Sequence, residues 1–138
     1  MIVCVLDCSV ALSWCFEDEA TKAGEALLDR LLDEQAAVPA LWHLEIANVL
    51  ALAERKKRIS TAESSAFVGL IGAISLAVDA ETPMRALGDV LNLARTHDLT
   101  AYDAAYLELA MRLGVPLATR DEHLRKAAKK TGVPLLNV

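Results

Sequence analysis

Four acidic residues stand where a carboxylate needs a partner: Asp7, Glu45, Asp103 and Asp121. Two follow short apolar runs, and two lie on mostly apolar helical stripes. A buried, unpaired carboxylate costs several kcal/mol or becomes neutral, so four converging acids call for a divalent cation. An oxygen-only ligand set favours Mg²⁺ or Mn²⁺. Because such ions activate water and stabilise charge on a phosphate, the pattern indicates phosphodiester hydrolysis.

Each acid also has a purely structural interpretation. Asp7 and Asp121 could cap the helices that follow them, and Asp103 could complement a helix dipole. Glu45 could face solvent at the edge of its stripe, or it could accept a hydrogen bond from Asn48, one turn on. No G-x-S-x-G, P-loop or G-x-G-x-x-G motif is present, so the sequence offers no support for those nucleophile and nucleotide sites.

The elements that must position these acids alternate between short apolar strands and longer amphipathic helices. The run Ile2–Leu6 predicts a strand buried on both faces. Further strands are predicted at 36–39, at 74–78 and at 117–119. Helices are predicted over 10–15, 21–34, 41–57, 60–72 with a Ser60/Glu63 capping box, 83–97 and 100–113. Gly114-Val115-Pro116 and Gly132-Val133-Pro134 each mark a helix-to-strand join.

This alternation predicts an α/β fold, a three-layer α/β/α sandwich with a central parallel sheet, in one domain spanning 1–138. In such sheets the functional site lies at the carboxyl ends of the strands, near the point where the strand order reverses. Asp7 and Asp121 both leave that edge, so we expect them to be neighbours.

Composition and charge limit the remaining possibilities. The chain is 54% hydrophobic and 24% charged, which indicates a globular protein. Its net charge of −5 requires any nucleic-acid contact to be local. Residues 17–34 hold seven acids and two bases, whereas residues 120–138 hold five bases and two acids. The phosphate-contact candidates are Arg120, Arg125, Lys126, Lys129 and Lys130, together with the run 55–58.

The cysteines and apolar runs predict where the protein resides. Cys4, Cys8 and Cys15 are an odd number with no preceding signal peptide, which predicts reduced thiols in a cytoplasmic protein rather than a zinc site. The longest nearly uncharged stretch, 66–78, is too short to cross a bilayer. No membrane association is expected.

Several strings in the chain resemble the PIN domain, especially the VapC toxins of toxin–antitoxin pairs. They are Val5-Leu6-Asp7-Cys8-Ser9, Trp14, Leu44-Glu45-Ile46-Ala47-Asn48-Val49-Leu50, the run from Leu99 to Ala110 around Tyr102-Asp103-Ala104, and Leu117-Ala118-Thr119-Arg120-Asp121. The string around Asp103, with Tyr106 three residues after the acid, is the most specific. The resemblance covers nearly the whole chain.

The resemblance implies a Mg²⁺- or Mn²⁺-dependent endoribonuclease that acts on tRNA or ribosomal RNA, forms a homodimer and is inhibited by a cognate antitoxin. It matches Asp7, Glu45, Asp103 and Asp121 to the family's acidic positions, with Ser9 and Thr119 as supporting hydroxyls. Asp7, Asp103 and Asp121 would bind metal directly or through water. Glu45 would bind a second metal or orient the attacking water.

Two other functions remain open from the sequence. A PIN-like RNA-processing or RNA-binding module without a toxin role would carry the same acids. A phosphoacceptor receiver domain also holds Mg²⁺ by carboxylates, but it would want paired acids after the first strand and a late lysine. Here Cys8 follows Asp7, and Arg120 follows Thr119.

Overall fold

A computed structural model describes all residues, 1–138, as four parallel strands flanked by helices. The elements in chain order are β1 (Ile2–Leu6), α1 (Cys8–Leu12), a 3-10 turn (Glu17–Glu19), α2 (Lys22–Arg30), β2 (Gln35–Pro39), α3 (Leu41–Arg55), α4 (Thr61–Ala73), β3 (Ser75–Asp79), α5 (Thr82–Arg85), a π-helical turn (Ala86–Val90), α6 (Leu91–His97), α7 (Ala101–Leu113), β4 (Leu117–Ala118) and α8 (Glu122–Thr131). The predicted three-layer α/β/α architecture with a parallel central sheet is confirmed.

The strand order places a reversal point beside β1. The sheet runs β3-β2-β1-β4, so the chain moves outward from β1 through β2 to β3 and later returns to the other side of β1. Residues after β1 and after β4 therefore leave the same edge next to each other, which is where open α/β sheets form ligand sites.

The core explains why the strands and two of the helices form where they do. It is a cluster of 29 buried residues that includes Val5 and Leu6 of β1. Trp42, Ile46 and Leu50 of α3 recur one turn apart and form its inward stripe. All seven residues from 104 to 110 of α7 are buried, so α7 is a core helix with Asp103 at its exposed end.

Most predicted elements are confirmed, with shifts at their ends. The Ser60/Glu63 capping box opens α4 as predicted. The first two helices end earlier than predicted, at Leu12 and Arg30. The predicted helix 83–97 is wrong in its interior, because a π-helical turn around Gly88 separates α5 from α6.

The predicted final strand is wrong. Gly132 ends α8 in a left-handed conformation as predicted, but the residues that follow form only a single parallel bridge, Leu117 to Leu135. The backbone N–H of Leu117 donates to the Pro134 carbonyl, and that of Leu136 donates to the Leu117 carbonyl. Because β4 has only two residues, the residues after Gly132 have no longer strand beside which to form further backbone hydrogen bonds.

Two glycines provide a matched test of backbone conformation. Gly114 ends α7 with φ +65°, and Gly69 lies inside α4, where a Cβ added to it would meet nothing within 4 Å. We expect Gly114→Ala to lower the free energy of unfolding by about 1 kcal/mol, because a Cβ disfavours the left-handed region. Gly69→Ala should raise the free energy of unfolding by about 0.5 kcal/mol, because Ala favours a helix interior over Gly. Urea denaturation of both variants checks these signs, and a stabilising Gly114→Ala would contradict the argument.

The structure contains no helix of the length and apolar character that crossing a membrane requires. All three cysteines are free.

Candidate active site

Asp7 is the most buried of the four acids and the best supported. It follows β1 and is 4% exposed. The hydroxyls of Ser9 and Thr119 both donate to its Oδ2, each at 2.7 Å. These hydroxyls also accept, Ser9 Oγ from the backbone N–H of Arg120 and Thr119 Oγ1 from that of Asp121, each at 3.1 Å. The segments after β1 and β4 are thus joined through Asp7, as the order of strands predicted.

Asp121 and Asp103 are each held at the start of a helix. Asp121 caps α8, with its Oδ1 accepting from the Leu124 backbone N–H at 2.8 Å. The capping interpretation of Asp121 is therefore correct, yet the cap uses only one carboxylate oxygen. Asp103 lies in the first turn of α7, where its backbone N–H donates to Thr100 Oγ1 at 3.1 Å. Its own carboxylate therefore takes no part in capping α7.

Glu45 lies in α3, half-buried, and accepts a hydrogen bond from the hydroxyl of Tyr106 in α7. The proposed donor Asn48 is wrong, since Asn48 is exposed and its side chain does not bond to Glu45. A helix period could place Asn48 one turn away, but it could not show that a buried tyrosine from another helix reaches the same carboxylate. The sequence signal for Tyr106 was its position on the Asp103 face of α7.

The four acids act on one another electrostatically. Burial raises the pKa of Asp7, against the lowering effect of the Thr119 and Ser9 hydrogen bonds, and the charge of Asp121 raises it further. Burial also raises the pKa of Glu45, with added contributions from Asp7 and Asp103. The pKa of Asp103 is raised first by burial and then by Asp121 and Asp7. All four carboxylates therefore belong to one centre of negative charge.

The donor set at this centre fits a hard divalent cation. It consists of carboxylates supported by hydroxyls. A cation would offset both the cost of burying these carboxylates, which is the main cause of the raised pKa values of Asp7, Glu45 and Asp103, and their mutual repulsion. Burial and the charges of Asp7 and Glu45 raise the pKa of the Cys8 thiol, which disfavours a thiolate beside Asp7. No three His, Cys, Asp or Glu side chains are arranged as a ready metal cluster, so the metal site is not preformed.

Replacing Tyr106 by Phe should raise the pKa of Glu45. The hydroxyl donates to the ionised carboxylate, so removing it disfavours the charged form. The ring is fully buried and Phe retains its packing, so the expected loss of unfolding free energy is only about 1 kcal/mol. Carbon-13 NMR titration of the Glu45 carboxyl measures the pKa. Tyr102→Phe, at an exposed tyrosine of α7, is the control and should leave it unchanged.

Asp103→Asn should make the protein more stable at pH 7 in the presence of EDTA. The folded-state pKa of Asp103 is raised, so its contribution favours folding at low pH and is lost as the pH rises through that value. Asn carries no charge to repel Asp121 and Asp7. Thermal unfolding should therefore give the variant the higher Tm at pH 7 and a smaller difference at pH 4. A variant that melts lower than the wild type at both pH values would contradict the assigned repulsion.

The predicted RNA-contact residues differ in whether their side chains already bind other groups of the protein. Arg120 donates to the Glu19 backbone carbonyl, and Arg125 donates to the Thr119 carbonyl at 3.0 Å. Lys126 is exposed. Arg58, in the basic run 55–58, is paired with Asp18 and Glu19 and stacks on the ring of Phe16. Its guanidinium therefore makes contacts within the protein, which its place in a run of bases could not reveal.

Comparison with known proteins agrees with this geometry. The model of the PIN domain family matches residues 4–130. The chain belongs to the PIN domain family. PIN domains are generally nucleases and generally use divalent metal ions. PAE2754 from Pyrobaculum aerophilum, known from a crystal structure, has the same fold, with a TM-score of 0.70 and 22% sequence identity over 98% of this chain and 84% of that one. No curated protein matches the sequence.

The PIN domain match decides between the open alternatives at the level of the family. It does not favour a phosphoacceptor receiver domain, because the PIN domain model matches residues 4–130, a span that contains Asp7, Glu45, Asp103 and Asp121. It confirms the resemblance to PIN domains and leaves the toxin subtype as a prediction.

Proposed function

We propose that this PIN domain is a Mg²⁺- or Mn²⁺-dependent endoribonuclease that cleaves tRNA or ribosomal RNA. The observation that carries the proposal is the position of Asp7. It is a buried carboxylate fixed by two hydroxyl donors at the reversal point of the sheet, and its charge is coupled to those of Glu45, Asp103 and Asp121. Burying so much like charge is costly unless it binds a cation.

The acids divide the work by position in this proposal. Asp7, Asp103 and Asp121 hold the metal, and Glu45 holds a second metal or orients the attacking water. When bound, such an ion lowers the pKa of water and stabilises charge on the scissile phosphate. Ser9 and Thr119 both donate to Oδ2 of Asp7 and so keep this carboxylate fixed. Tyr106 holds Glu45 by its hydrogen bond.

The direct test is cleavage of total tRNA and ribosomal RNA by the purified protein with Mg²⁺, Mn²⁺ or EDTA. Discrete fragments that require the added metal are the expected result. Fragments that persist in EDTA would contradict metal dependence. Absence of cleavage of either RNA with both metals, by a protein shown to be folded, would contradict the proposed substrate.

We propose further that the protein is the toxin of a toxin–antitoxin pair, and that its antitoxin binds a groove between α3 and α4. The groove encloses about 740 Å³ and is mainly apolar, with Ile46, Leu50, Val68 and Ile71 among its lining residues. Two buried polar atoms beside it, Trp42 Nε1 and Ser64 Oγ, have no hydrogen-bond partner. Ile46 in the lining follows Glu45 directly in α3, so the groove and one of the acids share this helix.

A charged residue in the groove should separate neutralisation from catalysis. Val68 is 56% exposed in the groove, and Val78 is 51% exposed on β3. Val68→Asp should reduce inhibition by a cognate antitoxin and leave RNA cleavage intact, whereas Val78→Asp should leave both inhibition and cleavage unchanged. Equal inhibition of both variants would place the antitoxin elsewhere.

The same proposal includes a homodimer in the cytoplasm. Met84 in α5 and Leu87 in the π-helical turn are 81% and 90% exposed, and such apolar side chains are suited to an interface. Sedimentation equilibrium should give twice the chain mass for the wild type and a monomer for Leu87→Glu. A wild-type monomer at all concentrations would contradict this part of the proposal.

A further inference from the structure

We propose that a cavity between the end of α6 and one face of α8 binds a nucleotide of the RNA strand next to the scissile phosphate. This inference rests on the proposed nuclease function and adds the path of its substrate. The cavity encloses about 330 Å³, which is within the range of small-ligand sites. Its polar lining consists of Thr96, His97, Asp98, His123, Lys126 and Lys130.

The charge in this cavity is free for an anionic ligand. Lys126 and Lys130 lie one turn apart on α8, and neither forms an ion pair; Asp98 is the only acid in the lining. In another polar cavity, by contrast, Arg85 and Arg112 are paired with the carboxylate of Glu108. The unpaired lysines thus concentrate positive charge in a chain whose net charge is −5.

The cavity borders the acid centre on two sides. His123 lies in the first turn of α8, two residues after Asp121. On the other side, α6 ends at His97 and the chain then leads directly into α7, where Asp103 lies in the first turn. In this proposal, an RNA strand with one phosphate at the acids has a neighbouring nucleotide at the cavity.

The chemistry of the lining favours a nucleotide over a simple anion. Lysines contact phosphates without reading the base, which gives affinity and fixes the register of the strand. Imidazole rings can stack on an unpaired base or donate to its edge, as aromatic side chains do in single-stranded RNA recognition. Four carboxylates repel a polyanion. Cations on one side of the centre therefore favour a path of the RNA strand over that side.

The test compares two double variants for binding of a short single-stranded RNA in an Asp7→Asn background, where the RNA stays intact. Lys126→Ala/Lys130→Ala removes the cavity lysines. Lys22→Ala/Arg30→Ala removes two exposed bases of α2, outside the lining. We expect fluorescence anisotropy to show binding weakened on the order of tenfold in the first variant only. The plot of log affinity against log salt for this variant should be shallower, with a slope smaller in magnitude by about 1.4.

Histidine NMR locates the RNA independently. The ring protons of His97 and His123 should shift on addition of RNA, whereas those of His43, in the α3–α4 groove, should not. Equal weakening in both double variants, or RNA shifts confined to His43, would overturn the cavity inference even if the wild type cleaves RNA. A wild type that neither binds nor cleaves RNA would instead overturn the proposed function, and the cavity inference with it.

Discussion

Asp7→Asn should reduce RNA cleavage by about 1000-fold, equivalent to roughly 4 kcal/mol of transition-state stabilisation. Both supporting hydroxyls donate to Oδ2 of Asp7. The oxygen of an Asn side chain can accept these two bonds, and its NH₂ group then stands where the other carboxylate oxygen was. A donor at that point repels a cation. The variant should therefore retain the fold and lose the metal.

The control for this variant is Glu122→Gln, which neutralises an exposed acid in the first turn of α8. It should cleave RNA at a rate within about twofold of the wild type, since surface charges away from the metal contribute little to the transition state. Thermal unfolding in EDTA should show Asp7→Asn at least as stable as the wild type at pH 7, because a buried charge with a raised pKa has been removed. Wild-type cleavage by Asp7→Asn would locate the catalytic centre elsewhere.

Arg112→Ala should lower the free energy of unfolding by about 3 kcal/mol. The guanidinium of Arg112 binds Asp79 through two bonds of 2.9 and 3.0 Å and also binds Glu108 at 2.8 Å. The Asp79 and Glu108 side chains are only 11% and 5% exposed. Truncating Arg112 leaves both charges poorly solvated and unpaired. Urea denaturation measures the loss, and it should exceed that of any surface substitution.

Two comparisons sharpen this second expectation. Arg30→Ala breaks an exposed pair with Glu34 and should have no measurable effect. Arg112 lowers the pKa of Asp79, so that interaction contributes above the unfolded pKa near 4 and is lost as the pH falls below it. The difference between wild type and Arg112→Ala should therefore shrink in acid. A difference that stays constant down to pH 2 would contradict the ionic origin of the effect.

Local signals in the sequence were enough to predict most of this fold. The β-branched run before Asp7 predicted β1, and the cap residues Ser60 and Thr100 predicted where α4 and α7 begin. Those signals depend on neighbours within one turn, so a single sequence contains them. The meeting of Asp7 and Asp121 followed from the rule for parallel sheets rather than from either residue alone.

What the sequence could not reveal depends on contacts between distant segments. The Tyr106 bond to Glu45 joins α7 to α3, and the Arg120 bond to the Glu19 carbonyl joins the β4 edge to the 3-10 turn. Helical periodicity is silent about such partners. The π-helical turn at Ala86–Val90 was missed because its apolar spacing is close to that of an α-helix.

The cap that Asp121 provides for α8 has a consequence for ligand affinity. Its Oδ1 is held by the Leu124 N–H, so the side chain has lost its rotational freedom before any ligand arrives. The entropy of ordering this carboxylate is lost on folding rather than on binding. Fraying of the first turn of α8 is thereby linked to ligand affinity. A change that loosens this turn, even without contacting the acids, lowers the affinity of the site for its ligand.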